Sequence, residues 1–298
     1  MSFQRMVRCM SEKSIFSNLV RGADGAFSAV YGPFLLQSAL QPIFRERADG
    51  ALDIAAFKGL VRASIGDTPR APADFFRDVP GEERAAVDGL CRSLHILNAG
   101  PLAGPGTALI VNIQAGLHLT AHGMRQEIER LRLAAHEAGM APQHIACEIR
   151  AHPDEAPEDL ALLSARLHEA GFSIAIDDYA GEDRDLERLE RLQPQFVTFD
   201  TAWLRSFAEN SAGLALLRVV VGQFAQKGIR AIVSGIEEQQ TVALCREMGG
   251  PLMQGYLLAR PELAPTGFAA ADGPPAGGVT PLENRIARPL RQFGKRRG

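Results

Sequence analysis

The chain has 298 residues, a formal net charge of −3 at pH 7 and a hydrophobic content of 46%. This length is sufficient for one large α/β domain with a substantial core. No apolar run is long enough for a membrane span, the N-terminus has no export signal, and the small net charge excludes a general affinity for nucleic acid.

The cysteine distribution indicates reduced thiols. The four cysteines, Cys9, Cys91, Cys147 and Cys245, form no Cys-x-x-Cys pair. This argues against a zinc site, and we expect a cytoplasmic protein. His118 and His122 are four residues apart but have no third ligand at a suitable spacing, so we expect a solvated pair.

The N-terminal part of the chain predicts a lead-in followed by a hairpin. Residues 1–30 are mixed in composition, and we expect them to be loosely attached. A short helix is predicted over 33–38, and strands are predicted over 39–44 and 52–61. Arg47-Ala48-Asp49-Gly50 supplies turn residues between the two strands, which favours an antiparallel pair.

Strand and helix patterns alternate after two helices that start at Pro72 and Gly81. The predicted strands are 108–113, 144–149, 172–177, 196–199, 229–233 and 252–256. The predicted helices between them are 120–138, 157–170, 184–192, 214–226 and 237–248. Short connections between so many units favour a closed (β/α) barrel over an open sheet. No Gly-rich nucleotide-binding loop follows any of these strands.

The C-terminal segment differs from the rest of the chain. Residues 263–298 are rich in Pro and Gly and end in six basic residues against one acidic residue, Glu283. We predict a flexible linker and a basic tail, most simply a solvated one. The predicted barrel domain therefore covers residues 31–262.

The strand Phe172–Asp177 stops at two adjacent carboxylates, Asp177 and Asp178. The carboxyl ends of parallel strands face the ligand side of an α/β protein, and paired carboxylates suit a hard cation such as Mg²⁺. The alternative is that Asp178 caps the next helix and Asp177 is merely exposed.

Polar residues also end several other predicted strands. They are Gln41 in Gln-Pro-Ile, Asn112 in Val-Asn-Ile, Glu148 in Cys-Glu-Ile and Gln254 in Gln-Gly-Tyr. Together with Pro-Ala-Asp-Phe at 72–75, Asp177-Asp178-Tyr179, Ser-Gly-Ile-Glu at 234–237 and Arg260-Pro261, their order resembles the EAL family of cyclic di-GMP phosphodiesterases. The resemblance runs from about Leu35 to Pro261.

The resemblance implies a modified TIM (β/α)8 barrel whose first strand runs antiparallel to the others. Active members of the family hydrolyse one phosphodiester of cyclic di-GMP, with two divalent ions that activate water and hold the phosphate. The fold class expected for this chain is therefore α/β.

Carried over by position, the family pattern is incomplete in this chain. Glu-Ala-Leu-x-Arg falls on Lys58-Gly59-Leu60-Val61-Arg62, so that a lysine replaces the metal-binding glutamate. The remaining metal ligands would be Asn112, Glu148, Asp177 and Asp178. Thr198 stands where active members have a lysine, Ser234 replaces the proposed base, and Glu237 is retained. The family's Gly-Thr-Gly-Tyr-Ser-Ser-Leu loop reads Ala180–Leu186, and Ala151 replaces the glutamate that steadies it.

These substitutions predict a degenerate phosphodiesterase that is not an enzyme. An ammonium beside Glu148 and Asp177 would pair with the carboxylates and repel Mg²⁺, while Thr198 and Ser234 cannot act as a charged group or base near pH 7. We expect no cofactor, and Mg²⁺ only if the pocket is functional. We expect Lys58 to reach Glu148 or Asp177, and the alternative is a side chain that points into solvent.

Several positions lie where the family contacts the nucleotide. They are Gln41, Leu60, Arg62, Asn112, Asp178, Gln254 and Pro261. Structural alternatives stay open for four of them: a strand hydrogen bond for Gln41, a core position for Leu60, an ion pair with Glu148 or Asp177 for Arg62, and a satisfied buried amide for Asn112.

The function expected from these observations is non-catalytic signalling through an unidentified protein partner, with the barrel surface or the 180–185 loop as the contact. The alternative is a receptor that binds cyclic di-GMP without hydrolysis. Residual phosphodiesterase activity is the least favoured hypothesis, and a homodimer stays open.

Overall fold

Eight strands close into a barrel in the computed structural model of the chain, which describes residues 18–104, 106–152 and 155–268. The strands are β1 (Leu19–Arg21), β2 (Phe27–Tyr31), β3 (Phe34–Glu46), β4 (Leu52–Ile65), β5 (Thr68–Arg70), β6 (Ala108–Gln114), β7 (Ile145–Arg150), β8 (Ser173–Tyr179), β9 (Phe196–Phe199), β10 (Arg230–Val233), β11 (Leu252–Met253) and β12 (Glu262–Leu263). The helices are α1 (Pro72–Asp78), α2 (Arg84–Ala99), α3 (Ala121–Glu137), α4 (Pro157–Glu169), α5 (Asp183–Leu192), α6 (Thr201–Ala208), α7 (Ser211–Gln226) and α8 (Gln239–Glu247).

The barrel runs β3-β4-β6-β7-β8-β9-β10-β11 and returns to β3. Neighbouring strands from β4 to β11 are parallel, whereas β3 is antiparallel to both β4 and β11. The predicted fold, a TIM-like barrel with an antiparallel first strand, is confirmed. The predicted turn between β3 and β4 is also present, with Gly50 at a φ of +80° and its N–H donated to Arg47 O at 2.9 Å.

The N-terminal segment is more ordered than the sequence predicted. No helix forms over 33–38, because β3 begins at Phe34 and pairs with β2 on one side and β4 on the other. Alternation reveals the strand: Phe34 and Leu36 are buried, and Leu35 between them is exposed. The lead-in predicted over 1–30 contains β1 and β2 from Leu19 onward, and residues 1–17 lie outside the described part of the chain.

Two apolar layers surround the barrel wall. The interior layer takes residues from every barrel strand, among them Ile43, Ala56, Ile110, Phe196 and Ile232. A larger layer packs the outer face of the strands against the helices. Burial on both faces explains why the parallel strands form almost continuous apolar runs in the sequence.

The C-terminal region departs from the prediction in two places. Helix α6 was not predicted, and Asp200 is its N-cap residue, whose carboxylate accepts the N–H of Trp203 at 2.6 Å. Strand β12 pairs with Leu40 and Ala39 of β3, and the ring of Phe268 contacts that of Phe57 at a centroid distance of 5.9 Å. The segment predicted as linker from residue 263 therefore begins with ordered residues, and the basic tail lies outside the described range.

Among the described residues, none of the helices combines the length and the apolar character that a membrane span needs.

Candidate functional site

The site is built by one layer of residues inside the barrel. Each parallel strand has one apolar interior residue that is followed two positions later by a polar residue, and alternate side chains of a strand point to the same face. In β3, which runs the other way, the polar residue comes two positions before the apolar one. The polar layer consists of Gln41, Lys58, Asn112, Glu148, Asp177, Thr198, Ser234 and Gln254.

Lys58 lies at the centre of this layer. Its Nζ is 2.9 Å from Glu148 Oε2 and 3.3 Å from Asp177 Oδ2. The lysine side chain is 13% exposed and that of Glu148 is fully buried. The prediction that the ammonium would reach Glu148 or Asp177 is confirmed, since it contacts both.

Burial and charge act against each other on the three groups. Burial alone would lower the pKa of Lys58, but Glu148 and Asp177 outweigh burial and raise it. Burial raises the pKa of Glu148, although Lys58 opposes the shift. For Asp177, burial is outweighed by Lys58 and Arg150, which hold its pKa below the usual range. Lys58 is therefore a fixed positive charge at neutral pH.

Arg150, at the end of β7, is a second cation of the site that the sequence analysis did not single out. Its Nη2 is 3.4 Å from Asp177 Oδ2, and its Nε is 3.6 Å from Glu148 Oε1. Strand β7 extends one residue beyond the predicted end, which places Arg150 on the same face as Glu148. The sequence did contain a signal for this placement, because a residue two positions after Glu148 in a strand lies on the same face as Glu148.

Two buried acceptors on neighbouring strands find no hydrogen-bond donor among the residues that the structure describes. They are Asn112 Oδ1 and Glu148 Oε1, and the two residues are directly paired between β6 and β7. The alternative of a satisfied buried amide for Asn112 is therefore wrong for its side-chain oxygen. Buried polar atoms without partners are uncommon in folded proteins, so these two oxygens are available to a ligand or to water.

A cavity of about 390 Å³ opens above the polar layer. Four of the residues proposed to contact a nucleotide line it, namely Gln41, Leu60, Asn112 and Gln254, together with Lys58. Arg150, Ser234 and Glu237 also line this cavity. Gln41 is fixed by side-chain contacts, accepting from Gln254 Nε2 at 3.1 Å and donating to Ala259 O at 3.2 Å. Its amide therefore belongs to the cavity wall.

The other predicted contact residues lie elsewhere. Arg62 donates to Val61 O at 3.0 Å, and within the described residues it forms no ion pair with Glu148 or Asp177, so that alternative is wrong. Neither Arg62 nor Pro261 lines the 390 Å³ cavity.

A second cavity of about 530 Å³ lies beside the first, and Asp178 lines it. Ala151, His152, Asp177, Arg184 and Arg188 also line it, and Arg150 lines both cavities. Asp178 has a φ of +56° at an irregularity in the pairing of β8 with β9. Burial and the neighbouring Asp177 charge raise the pKa of Asp178.

Asp185 anchors the loop that follows Asp178. Its buried carboxylate accepts the N–H of Ala180 at 2.9 Å and that of Glu182 at 3.3 Å, and Arg188 Nη1 is 3.3 Å from it. Glu182 is the N-cap of α5, so the alternative that Asp178 caps this helix is wrong. The loop is thereby fixed to the first turn of α5.

Thr198 and Ser234, the positions that the family resemblance aligns with a lysine and with the proposed base, carry no charge. Thr198 is 3% exposed, and Ser234 directly follows β10, where its backbone oxygen accepts from Thr201 Oγ1 at 3.1 Å. Glu237 is exposed at the edge of the smaller cavity. Of these three residues, only Glu237 carries a carboxyl group.

A buried ionic network between α2 and α3 contacts the backbone of the site at Asn112. Arg92 of α2 bonds Glu127 Oε1 at 2.6 Å, contacts Asp88, and donates to the backbone oxygen of Asn112 at 3.1 Å. His118 is 2% exposed and lies 2.9 Å from Arg92 Nη2, so the predicted solvated pair with His122 is wrong. His118 precedes α3, which begins at Ala121, and the two histidines therefore share no helix face.

The fold and the polar pocket at the carboxyl ends of the parallel strands define an α/β barrel with a binding site at its mouth. The sequence profile of the EAL domain matches residues 71–261, more than half of the chain. The chain belongs to the EAL domain family.

Curated relatives of the chain are longer proteins. A probable cyclic di-GMP phosphodiesterase of Escherichia coli K12, PdeA, is 32% identical over 97 residues, covering 33% of this chain and 13% of its own length. Another from the same organism, PdeN, is 24% identical over 230 residues, covering 75% of this chain and 43% of its own length. The chain thus spans less than half the length of these relatives.

Solved structures share the fold. Klebsiella pneumoniae BlrP1, in a manganese and cyclic di-GMP complex, superposes with a TM-score of 0.64 at 24% identity over 76% of this chain and 56% of its own. A standalone EAL protein of Vibrio cholerae with bound cyclic di-GMP gives 0.62 at 23% identity, over 77% of this chain and 96% of its own. At these identities the similarity supports the fold alone.

Proposed function

We propose that this protein is a non-hydrolytic EAL module of cyclic di-GMP signalling that acts through contact with another protein. The observation that carries the proposal is the Lys58 ammonium, 2.9 Å from Glu148 and 3.3 Å from Asp177. It stands between the two carboxylates that the family resemblance assigns to metal binding. A protein cation in this position removes the charge that would attract Mg²⁺.

The residues present do not fit a divalent ion between Glu148 and Asp177. Mg²⁺ requires near-octahedral coordination by oxygen, and here Lys58 occupies one oxygen of each carboxylate. Arg150 adds a second cation within 3.6 Å of Glu148 and 3.4 Å of Asp177. The unpartnered oxygens of Asn112 and Glu148 are too few to offset this repulsion.

The groups needed for proton transfer are also missing. General acid–base catalysis requires a side chain that can exchange a proton near the working pH, and Thr198 and Ser234 do not ionise in this range. Glu237 is retained and lines the cavity, but the metal positions it would assist are filled by Lys58. The arrangement supports binding without phosphodiester hydrolysis.

A hydrolysis assay tests this proposal directly. We expect no conversion of cyclic di-GMP to the linear dinucleotide above a protein-free blank, with Mg²⁺ or with Mn²⁺. The variant Lys58→Glu should also be inactive. The triple variant Lys58→Glu/Thr198→Lys/Ser234→Glu restores the family's residues at all three positions and is the variant in which activity could return. Metal-dependent turnover by the unsubstituted protein would refute the proposal.

The loop over residues 180–185 is the proposed contact with a protein partner. Asp185 fixes the backbone of this loop, so the segment that carries the exposed side chains of Glu182, Asp183 and Arg184 loses little backbone entropy on binding. Once a partner is identified, Arg184→Glu should weaken the complex, because rim charges steer association. Arg166→Glu on α4 is the matched control, and equal loss from both variants would exclude the loop.

A receptor for cyclic di-GMP is the second candidate function. The 390 Å³ cavity favours it, because Gln41, Lys58, Leu60, Asn112 and Gln254 line that cavity together and its size lies in the usual range of ligand pockets. Isothermal titration with cyclic di-GMP, with Mg²⁺ and with EDTA, tests this role. Absence of binding in both conditions would exclude it and leave protein contact as the function.

A further inference from the structure

Arg150 borders both cavities at the mouth of the barrel. Its side chain is 53% exposed, and its distances of 3.4 Å to Asp177 and 3.6 Å to Glu148 exceed those of a close charge-assisted hydrogen bond, about 2.7–2.9 Å. A guanidinium has five N–H donors in a planar fork. Most of the donors of Arg150 are therefore available to another anion.

The charge of the site permits an anion without a metal. A glutamate at position 58 together with one divalent ion would contribute a single net positive charge, and Lys58 contributes the same charge alone. Arg150 supplies a second positive charge on β7, two residues after Glu148. With two divalent ions, as in active members of the family, the glutamate and its ions would contribute three net positive charges, and Lys58 and Arg150 supply two from the protein.

We propose that Arg150 binds a phosphate group of an anionic ligand in the 390 Å³ cavity and does so without a metal ion, with Lys58 as the neighbouring charge. The ligand class is a phosphodiester such as a cyclic dinucleotide. The inference rests on the receptor role proposed above and assigns it a residue and a metal requirement.

The placement of the phosphate follows from the two cavity walls. The 530 Å³ cavity is lined by the carboxylates of Asp177 and Asp178 and, besides Arg150, by Arg184 and Arg188. These two arginines are already paired, Arg184 with Glu182 at 2.8 Å and Arg188 with Asp185 at 3.3 Å, so the two carboxylates disfavour an anion on that side. The 390 Å³ cavity has one carboxylate on its wall, that of Glu237, and two cations, Lys58 and Arg150. An Arg fork matches two phosphate oxygens, whereas an ammonium acts as a point charge.

Calorimetric titration of the full chain with cyclic di-GMP, in EDTA and in Mg²⁺, tests the inference. We expect equal affinity in the two conditions and a loss of about 10- to 100-fold in Arg150→Ala, the range of a charge-assisted hydrogen-bond pair. Arg150→Lys keeps the charge but not the fork and should be intermediate. Arg191→Ala is the control, because Arg191 is an exposed residue of α5 that lines neither cavity.

Thermal stabilisation by inorganic pyrophosphate provides a second probe of the same residue. If cyclic di-GMP does not bind but pyrophosphate stabilises the wild type and not Arg150→Ala, the receptor role fails while the anion site stands. Binding of cyclic di-GMP that is unchanged in Arg150→Ala, or that requires Mg²⁺, overturns the inference and leaves the receptor role intact. A response to neither probe overturns both.

Discussion

Gly59 of β4 lies directly against the imidazole of His95 on α2. A Cβ placed on Gly59 would be 2.7 Å from His95 Cγ, closer than real Cβ contacts allow. The nitrogen Nδ1 of His95 is 2.8 Å from Ser38 Oγ, and both side chains are buried, so the ring has little freedom to move. The fixed ring of His95 on α2 thus restricts position 59 to glycine.

Gly59→Ala is therefore expected to destabilise the fold. Alanine suits a strand better than glycine by about 0.5–1 kcal/mol, but overpacking a buried site costs about 1–3 kcal/mol. Urea unfolding should show a net loss in Gly59→Ala that is largely absent when His95→Ala is already present. Additive losses in the double variant would contradict the contact. Restoring Glu-Ala-Leu at residues 58–60 consequently requires a change at His95 as well.

The ion pair of Lys58 and Glu148 should behave as a coupled unit. Lys58→Met leaves a fully buried carboxylate without its closest cation, which typically costs about 3–5 kcal/mol. Adding Glu148→Gln should recover part of this loss, with a coupling of about 0.5–3 kcal/mol in a double-mutant cycle. The measurement is the free energy of unfolding in urea at pH 7.

An exposed pair gives the matched comparison for this cycle. Arg166 and Glu169 on α4 are 2.8 Å apart, but their side chains are 56% and 63% exposed. Arg166→Met should change stability by only about 0.2–1 kcal/mol, because solvent screens exposed pairs. If Lys58→Met were as mild as Arg166→Met, the ammonium would not be paired as described.

His95 should make the fold sensitive to mild acid. Burial lowers its pKa to about 3, whereas the unfolded chain keeps the ordinary histidine value of about 6.5. Between these two values the unfolded state binds a proton that the folded state does not. The stability present above pH 6.5 is therefore lost as the pH falls, by about 1.4 kcal/mol per pH unit for this residue.

The pH dependence of unfolding in urea measures this contribution. In His95→Asn, which keeps a polar partner for Ser38, the decline in stability between pH 6.5 and pH 4 should be shallower by that amount. His122→Asn is the control, since His122 is exposed. Because the pKa of Asp177 is lowered in the folded state, this residue causes a further loss of stability only below the ordinary aspartate pKa, about 3.9. It therefore does not affect the slope measured between pH 6.5 and pH 4. An unchanged slope in His95→Asn would contradict the assignment.

The sequence specified the barrel because each level of the pattern agreed. Apolar strands, glycines after the helices and a turn at Arg47–Gly50 all predicted the order of elements that the structure has. It also placed Lys58 correctly, because period-2 alternation fixes which side of a strand faces the interior. The helix predicted over 33–38 was wrong, because pairing with two neighbouring strands overrides a short local preference.

Side-chain partners across long sequence separations could not be predicted. Arg150 was missed because the predicted strand ended at Ile149, one residue too early. The partners of His118, Asp88 and Arg92, come from α2, about 30 residues earlier, and no local spacing signals such a contact. The sequence identifies which residues are polar and on which face they lie, and only the assembled helices show which of them meet.

Strand β12 and Phe268 give the last prediction, which concerns where the folded unit ends. A chain that ends at Pro261 lacks the pairing of β12 with Leu40 and Ala39 and the contact of Phe268 with Phe57. Full burial of a phenylalanine contributes about 1.5–3 kcal/mol to the free energy of unfolding. Because Phe268 is only half-buried, Phe268→Ala should lower the stability by less than this range. Truncation after Pro261 should lower it by more than the single substitution, because it also removes β12. A chain that ends at Phe268 is the matched control, and we expect its melting temperature to equal that of the full chain. Equal melting temperatures for the chains ending at 261 and 268 would show that β12 contributes nothing to the barrel.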